Sequence, residues 1–400
     1  MKIINHTYNI HGKMINRHII SQIDKAAKIF PVIAILGPRQ VGKTTLAKEF
    51  IRTIDKPSVY LDLERPADYM RLDEPELFFA GNRDSCIVID EIQNKPEIFG
   101  LMRSQIDQDR VPLRFIILGS ASITLLQQSS QSLAGRIAYI ELNPFNLEEI
   151  GYPKNLERHH FLGGFPMAWL AESEEYSKLW LDNFIETYIM RDLPQLGLNV
   201  FPATLRRLWE MLAWQNGGLL NLSSISKSIG LTYNTIHRYL DFMENAYLVR
   251  RLYAYSVNTK KRLVKAPKLY LRDTGVLHRL LRLADYDQLL GYPGLGASWE
   301  AFVINQVYSL KQPDQELYFY RTHHGAEADL LITRGIQPIA CLEIKFSGAP
   351  SVPKGFLNCI EDLGTERNFI ISPLAEDHLV KHNIRICSLS GFLKEYLPSL

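Results

Sequence analysis

The chain has 400 residues, of which 46% are hydrophobic and 22% charged, proportions of a globular protein and not of a disordered or fibrous one. That length asks for two or three cores, and a formal net charge of +2 excludes a polycation that grips nucleic acid over its whole surface. Four scattered cysteines (Cys86, Cys341, Cys359, Cys387) without a Cys-x-x-Cys pair, no signal-peptide pattern before Arg17 and no run fit to span lipid give the expectation of a cytoplasmic protein with reduced thiols and no membrane contact.

In chain order, a lead-in helix is expected from Asn16 to Ala26. An apolar strand, Phe30 to Leu36, follows. Then comes Gly37-Pro38-Arg39-Gln40-Val41-Gly42-Lys43-Thr44-Thr45, which spells G-x-x-x-x-G-K-T, ahead of a helix-patterned stretch, Lys43 to Ile54. Strand, glycine loop and helix in that order build a phosphate site. The glycines let backbone N–H groups close on phosphate oxygens, and the helix N-terminus adds partial positive charge. The ligand expected is ATP with Mg²⁺, bound by residues 37–45. Lys43 would reach the β- and γ-phosphates, and the Thr44 hydroxyl would ligate the metal.

Strands recur at Ser58–Leu63, Cys86–Asp90, Arg114–Leu118 and Arg136–Leu142, with helical patterns between most of them, so the expected class is α/β with a parallel sheet. The apolar run Cys86-Ile87-Val88-Ile89 ends in Asp90-Glu91, a Walker B pattern: Asp90 for the metal, Glu91 to polarise the attacking water. Two adjacent acids favour a hydrolase over a kinase. Ser120, at the end of the next strand, sits where a sensor hydroxyl would see the γ-phosphate; an ordinary strand-to-loop serine fits as well. Arg136 suits an arginine finger, in cis or from a neighbouring copy in a homo-oligomer, and a surface arginine at a strand start equally.

Gly37 to Leu46, Leu61-Asp62-Leu63-Glu64, Asp90-Glu91, Gly119-Ser120-Ala121-Ser122 and Leu133-Ala134-Gly135-Arg136 together resemble a family of bacterial and archaeal AAA-like ATPases with an uncharacterised C-terminal domain. The resemblance continues through Gly163-Gly164-Phe165-Pro166, Tyr188 to Leu193 and Pro267 to Gly275. It implies the sheet order of the additional-strand ATPases, with the Walker B strand one place removed from the P-loop strand. It also implies sensor and finger roles for Ser120 and Arg136.

The ATPase domain is expected to cover 1–150, ending near Gly151-Tyr152-Pro153. A helical connector over 151–200 contains an amphipathic helix, Glu175 to Leu193, with a stripe of Tyr176, Leu179, Trp180, Phe184, Ile185, Tyr188 and Ile189. Residues 201–280 read as a winged helix-turn-helix: Thr204–Gln215, a helix capped by Ser223 or Ser224, a turn at Gly230, then Tyr233–Glu244 capped by Thr232. Asn234, Thr235, His237 and Arg238 would face outward. Between Arg250 and Asp273 lie eight Lys or Arg residues and one acid. Lys260, Lys261, Arg262 and Lys265 would form a wing tip for double-stranded DNA, or a solvated hairpin on a protein-binding module.

After a glycine-rich linker, Gly291 to Gly296, residues 281–400 resemble the PD-(D/E)XK restriction-endonuclease-like α/β pattern. Glu300 lies on a helix, Asp329 on one strand, and Glu343 and Lys345 two apart on the next. The acids would hold a second divalent metal, Mg²⁺ or Mn²⁺, while Lys345 handles water or phosphate charge; Glu327 would assist. The function expected is Mg²⁺-dependent ATP hydrolysis coupled to DNA binding and cleavage. The alternative is a nucleotide-switched binding protein with an inactive nuclease-like fold.

Overall fold

The computed structural model describes residues 7–10, 13–120, 132–195, 198, 200–256, 263–381 and 383–400. Two short strands, β1 (Thr7–Ile10) and β2 (Lys13–Asn16), pair antiparallel. Asn16 closes that pair opposite Thr7, so the lead-in helix, α1 (Ile20–Ala27), begins later than expected. The P-loop strand β3 (Val32–Gly37) runs into α2 (Lys43–Ile51), which is followed by β4 (Ser58–Asp62), helices α3 (Pro66–Met70) and α4 (Pro75–Gly81), β5 (Cys86–Asp90), α5 (Ile98–Gln108), β6 (Phe115–Ser120) and β7 (Ile137–Glu141). The five strands lie parallel in the order β4-β5-β6-β3-β7. This is the expected order, with β6 between the P-loop strand and β5.

Alternation along the strands sets the layers. Val32, Ala34, Leu36, Ile87 and Ile89 pack with α4 and α5 on one face, and Ile33, Ile35, Cys86 and Val88 with α1 and α2 on the other. Burial on both faces is why β3 and β5 read as unbroken apolar runs. Period two also fixes the site, because Asp90 shares the α2 face with Cys86 and Val88.

The chain divides into two compact units. One holds Met1–Phe145, Phe165–Leu170 and Asn245–Tyr247, and the other holds Asn146–Gly164, Ala171–Glu244 and Leu248–Leu400. Most of the connector and of the helix-turn-helix region, but not Phe165–Leu170 or Asn245–Tyr247, lies in the second unit with the C-terminal sheet.

That unit contains α6 (Leu156–Leu162), α7 (Glu174–Thr187), α8 (Pro202–Trp214), α9 (Leu222–Ile229), α10 (Tyr233–Asn245), an antiparallel pair β8 (Val249–Leu252) and β9 (Lys268–Leu271), α11 (Thr274–Leu280) and α12 (Leu295–Leu310). Strands β10 (Gln315–Arg321), β11 (Glu327–Arg334), β12 (Gln337–Ile344), β13 (Asn368–Ser372), β14 (His378–Val380) and β15 (Ile384–Ser388), with α13 (Lys354–Leu363) after β12, complete it. The sheet order is β10-β11-β12-β13-β15-β14. Trp299, Phe302 and Val303 of α12 pack with Leu330, Leu342 and Phe369 on one face, and Phe356 and Ile360 of α13 with Leu331 and Ile370 on the other. Leu252 and Tyr270 from β8 and β9 join the α12 core. The chain after β8 also bonds to β10, through Tyr255 N to Phe319 O at 2.8 Å. Strands β8 and β9 and the C-terminal sheet therefore share core and backbone bonds.

Several local expectations shift. Asn221, not Ser223 or Ser224, caps α9, its side chain accepting from Ser224 N at 3.0 Å. The α7 stripe is rotated: Tyr176 and Leu179 are exposed, while Ser177, Leu181, Phe184 and Ile185 are buried. The helix then continues through a π-turn, Tyr188–Asp192, instead of stopping cleanly at Pro194. Gly291 to Gly296 is no linker, because Gly291 closes one helix and Leu295 already opens α12. All four cysteines are buried and unbridged. No helix among the described residues is long and apolar enough to cross a membrane.

Two stretches that carried the resemblance meet in this unit. Asp273 accepts from Gly164 N at 2.8 Å and caps α11 through Val276 N at 3.0 Å. Behind it, a Cβ on Gly275 would lie 2.1 Å from the Leu162 carbonyl oxygen, a backbone atom. Gly275→Ala is therefore expected to destabilise this unit by roughly 3 kcal/mol or more. Denaturant unfolding checks this, and a loss under about 1 kcal/mol contradicts the close packing.

Ser298 Oγ lies between two buried imidazoles, 2.7 Å from His278 Nε2 and 2.9 Å from His160 Nε2, while His278 Nδ1 meets Phe161 O at 2.8 Å. The carbonyl demands a proton on His278 Nδ1, so Ser298 donates to His278 and accepts from His160. Burial pushes His278 down to about 4, against the Phe161 bond. A histidine held neutral contributes stability that is present above its unfolded pKa of about 6.5 and lost as pH falls toward 4. The melting temperature of His278→Gln is expected to fall less than that of the wild type across that window; parallel curves contradict this.

Candidate functional site

The P-loop wraps the N-terminus of α2. Gly37 has a φ of +152°, and a Cβ there would lie 2.3 Å from Leu142 O, so only glycine fits where β3 meets the strand beside it. Gly42 caps α2 in the left-handed region, with φ 98°. Val41 is buried, and its carbonyl accepts from Arg17 Nη1 at 3.3 Å, an anchor from outside the motif. Lys43 Nζ donates to Gly37 O at 3.0 Å and Pro38 O at 2.8 Å. Burial pulls Lys43 down to about 8, opposed first by Glu91 and then by Asp90, with Arg39 adding to the fall. It therefore remains mostly an ammonium at neutral pH.

Asp90 receives three bonds. Thr44 Oγ1 donates to its Oδ2 at 2.5 Å, Tyr60 OH to the same oxygen at 2.6 Å, and Glu91 N to Oδ1 at 3.0 Å. Tyr60 belongs to no motif of the sequence, although strand parity places it on the α2 face beside Asp90. Glu91 takes a left-handed backbone, φ 53°, which turns it back after the strand, and Gln93 Nε2 donates to its carboxylate. Burial raises the Glu91 pKa, with Lys43 opposing. Thr45 lies on α2 next to these groups. This donor set fits a magnesium-bound triphosphate: hard oxygens on Thr44 and Asp90, a buried ammonium, and a helix N-terminus.

Ser120 ends β6 opposite Gly37, at the same edge of the sheet, though its side chain lies outside the described residues. Arg136 does not join the site. Its carbonyl accepts from Val32 N, at the opposite edge, roughly 16 Å of strand away from Gly37. There its Nε bonds Asp107 at 2.6 Å and its Nη1 bonds Ala134 O at 2.9 Å. An in-cis finger is incompatible with that placement.

In the second unit, α8, α9 and α10 are followed by the antiparallel pair β8 and β9. Gly230 makes the left-handed turn and Thr232 Oγ1 accepts from Thr235 N at 3.2 Å. Ile236, Tyr239, Leu240 and Met243 are buried. Asn234, His237 and Arg238 are exposed, and Thr235 is half-buried. Lys260, Lys261 and Arg262 lie outside the described residues; Lys265 is exposed.

The C-terminal acids do converge, and around a residue outside the nuclease-like pattern. Lys268 Nζ, from β9, lies 2.8 Å from Glu300 Oε1, 3.2 Å from Asp329 Oδ1 and 3.8 Å from Glu327 Oε1. Tyr270 OH donates to Glu300 Oε1 at 2.5 Å, and Ile344 N to Asp329 Oδ2 at 2.9 Å. Lys345 Nζ pairs with Glu343 at 2.7 Å. Burial, then the charge of Asp329, pushes Glu300 up to about 7 and Glu343 up to about 8. Lys268 is itself held above its usual value, since its carboxylate neighbours outweigh the cost of burial. Between these opposed directions the lysine prevails: Lys268 is charged, because three acids surround it. A second divalent metal does not fit these residues, since an ammonium already occupies their centre, and no group of three or more ligating side chains suited to a metal occurs among the described residues.

The sheet, loop and Asp90–Glu91 strand define a P-loop ATPase fold of the AAA class, and residues 30–151 match the family described as AAA domain. Residues 153–287 and 295–392 match two domains of unknown function, DUF8612 and DUF4143. The uncharacterized protein Rv2008c of Mycobacterium tuberculosis is 38% identical over 375 residues, covering 92% of this chain and 84% of its own. The chain belongs to the family of that protein. An uncharacterized protein of Haemophilus influenzae is 24% identical over 275 residues, 60% of this chain and 67% of its own. Among solved structures, a Walker-type ATPase of Pyrococcus abyssi aligns with a TM-score of 0.46 at 16% identity, over 70% of this chain and 99% of that one.

Proposed function

We propose that this protein hydrolyses ATP with Mg²⁺ and couples the reaction to DNA binding by its C-terminal half, in the cytoplasm. What carries the reading is the meeting of Lys43, Thr44, Asp90 and Glu91 at one edge of a parallel sheet. Lys43 would exchange its loop carbonyls for phosphate oxygens, joined by the N–H groups of residues 37–45. Thr44 and Asp90 would hold the metal, with Tyr60 fixing the Asp90 rotamer. Magnesium, when bound, supplies positive charge against the phosphate oxygens. Glu91, its pKa raised by burial, would orient the attacking water and accept its proton. Ser120 would contact the γ-phosphate. Arg136 would act only from a neighbouring copy, on leaving Asp107.

For the C-terminal half we take residues 201–280 as a winged helix and 281–400 as a nuclease-like fold that binds without cleaving. The position of Lys268 among Glu300, Asp329 and Glu327 favours this over cleavage. DNA would meet the exposed face of α10 and the cations Lys260, Lys261, Arg262 and Lys265. Neutralising all four is expected to lower the slope of log K against log salt by about 0.9 for each phosphate that the wing no longer neutralises. An unchanged electrophoretic shift contradicts a role for the wing. Plasmid nicking by wild type with Mg²⁺ or Mn²⁺, abolished by Asp329→Ala, would overturn the non-cleaving reading.

A further inference from the structure

We infer that Lys268 is the built-in cation of the C-terminal carboxylate cluster, locking strand β9 to α12 and β11 and taking the place a divalent metal would need. The inference rests on the non-cleaving reading of the C-terminal half. Lys268 is 4% exposed and lies on a strand whose every residue is buried. Its ammonium bonds Glu300 of α12 and Asp329 of β11, with Glu327 3.8 Å away and the Phe319 ring of β10 at 5.8 Å. Two residues on, and so on the same face of β9, Tyr270 donates to the same Glu300 oxygen. Both oxygens of Asp329 are engaged, one by Lys268 and the other by the Ile344 amide. Glu343 is held by Lys345. The three acids of the nuclease-like pattern thus each have a donor within the chain. A divalent ion on the same oxygens would face Lys268 across a site of low dielectric, where like charges repel strongly.

The cluster therefore works as a latch between the strand pair and the sheet. Removing its cation leaves Glu300 and Asp329 buried without a counter-charge, the costly half of a broken buried pair. Lys268→Met, which keeps the length of the side chain, is expected to lower the melting temperature of the full chain by about 10 °C. Lys268→Met combined with Glu300→Gln and Asp329→Asn, which removes both bonded carboxylates along with the cation, is expected to recover a large part of that fall. The metal arm uses calorimetry with Mn²⁺ on the full chain carrying Thr44→Ala and Asp90→Asn, which removes the phosphate-loop site. The expected result is no binding up to millimolar Mn²⁺. Binding that disappears on Asp329→Asn would overturn the inference, and so would a Lys268→Met chain that melts with the wild type. Metal binding without plasmid nicking would sink the latch alone; nicking that needs Asp329 would sink the non-cleaving reading as well.

Discussion

Lys43→Ala is expected to abolish ATP turnover, with kcat falling by roughly 10²–10³. The size follows from where the ammonium sits. Lys43 is 6% exposed, at the N-terminus of α2, with Asp90 and Glu91 as its nearest opposing charges. Removing it leaves those two carboxylates facing the phosphates with no buried cation between them, so the charge that builds on the phosphate oxygens in the transition state loses its compensation, beyond what binding alone loses. The fold should survive, because the two bonds that Lys43 makes within the chain go to loop carbonyls, not to core groups. Phosphate release measured beside a melting curve separates lost chemistry from lost structure. Turnover at the wild-type rate in a folded Lys43→Ala chain would remove the basis of the ATPase reading.

Glu91→Gln is expected to keep nucleotide binding while slowing hydrolysis by roughly 10²–10⁴. The amide preserves size and cannot take a proton from water. Asp90 and Thr44, which would hold the metal, are untouched by the change. Binding of a fluorescent ATP analogue, followed with and without turnover, checks both halves. A variant that hydrolyses normally would assign the base to another group; one that no longer binds would make Glu91 part of the nucleotide cradle instead.

The parts of the site legible in the sequence are those set by short-range geometry. A strand, a glycine loop and a helix that follow one another directly leave little freedom, so residues 37–45 fall where the spacing puts them. Asp90 is legible because a run buried on both faces has to end where it leaves the sheet, and strand parity delivers its carboxylate to α2. What is hidden depends on contacts between distant segments. Tyr60 reaches Asp90 across 30 positions, and Lys268 reaches Asp329 across 61. Neither has a local pattern, and in sequence Lys268 is one more cation in a basic stretch. Arg136 is the opposite case: it heads a strand parallel to the P-loop strand, and strand starts lie at the edge away from the loop, so its distance from the site follows from strand polarity alone. The glycines from 291 to 296 suggest a linker by composition, yet Leu289 and Leu295 pack with Phe161 and Leu162, and that packing makes the segment a turn between helices. In α7 the aromatics draw the stripe toward Tyr176, whereas the buried face is set by Ser177 and Leu181, small and aliphatic groups that pack closely.

The most direct test is steady-state ATP hydrolysis by the full chain with Mg²⁺, measured with and without duplex DNA, beside Lys43→Ala. The predicted result is turnover in the wild type whose rate changes on adding DNA, and none in the variant. Turnover that is equal in the two chains, or that DNA leaves unchanged at saturating concentration, would contradict a hydrolysis coupled to DNA binding.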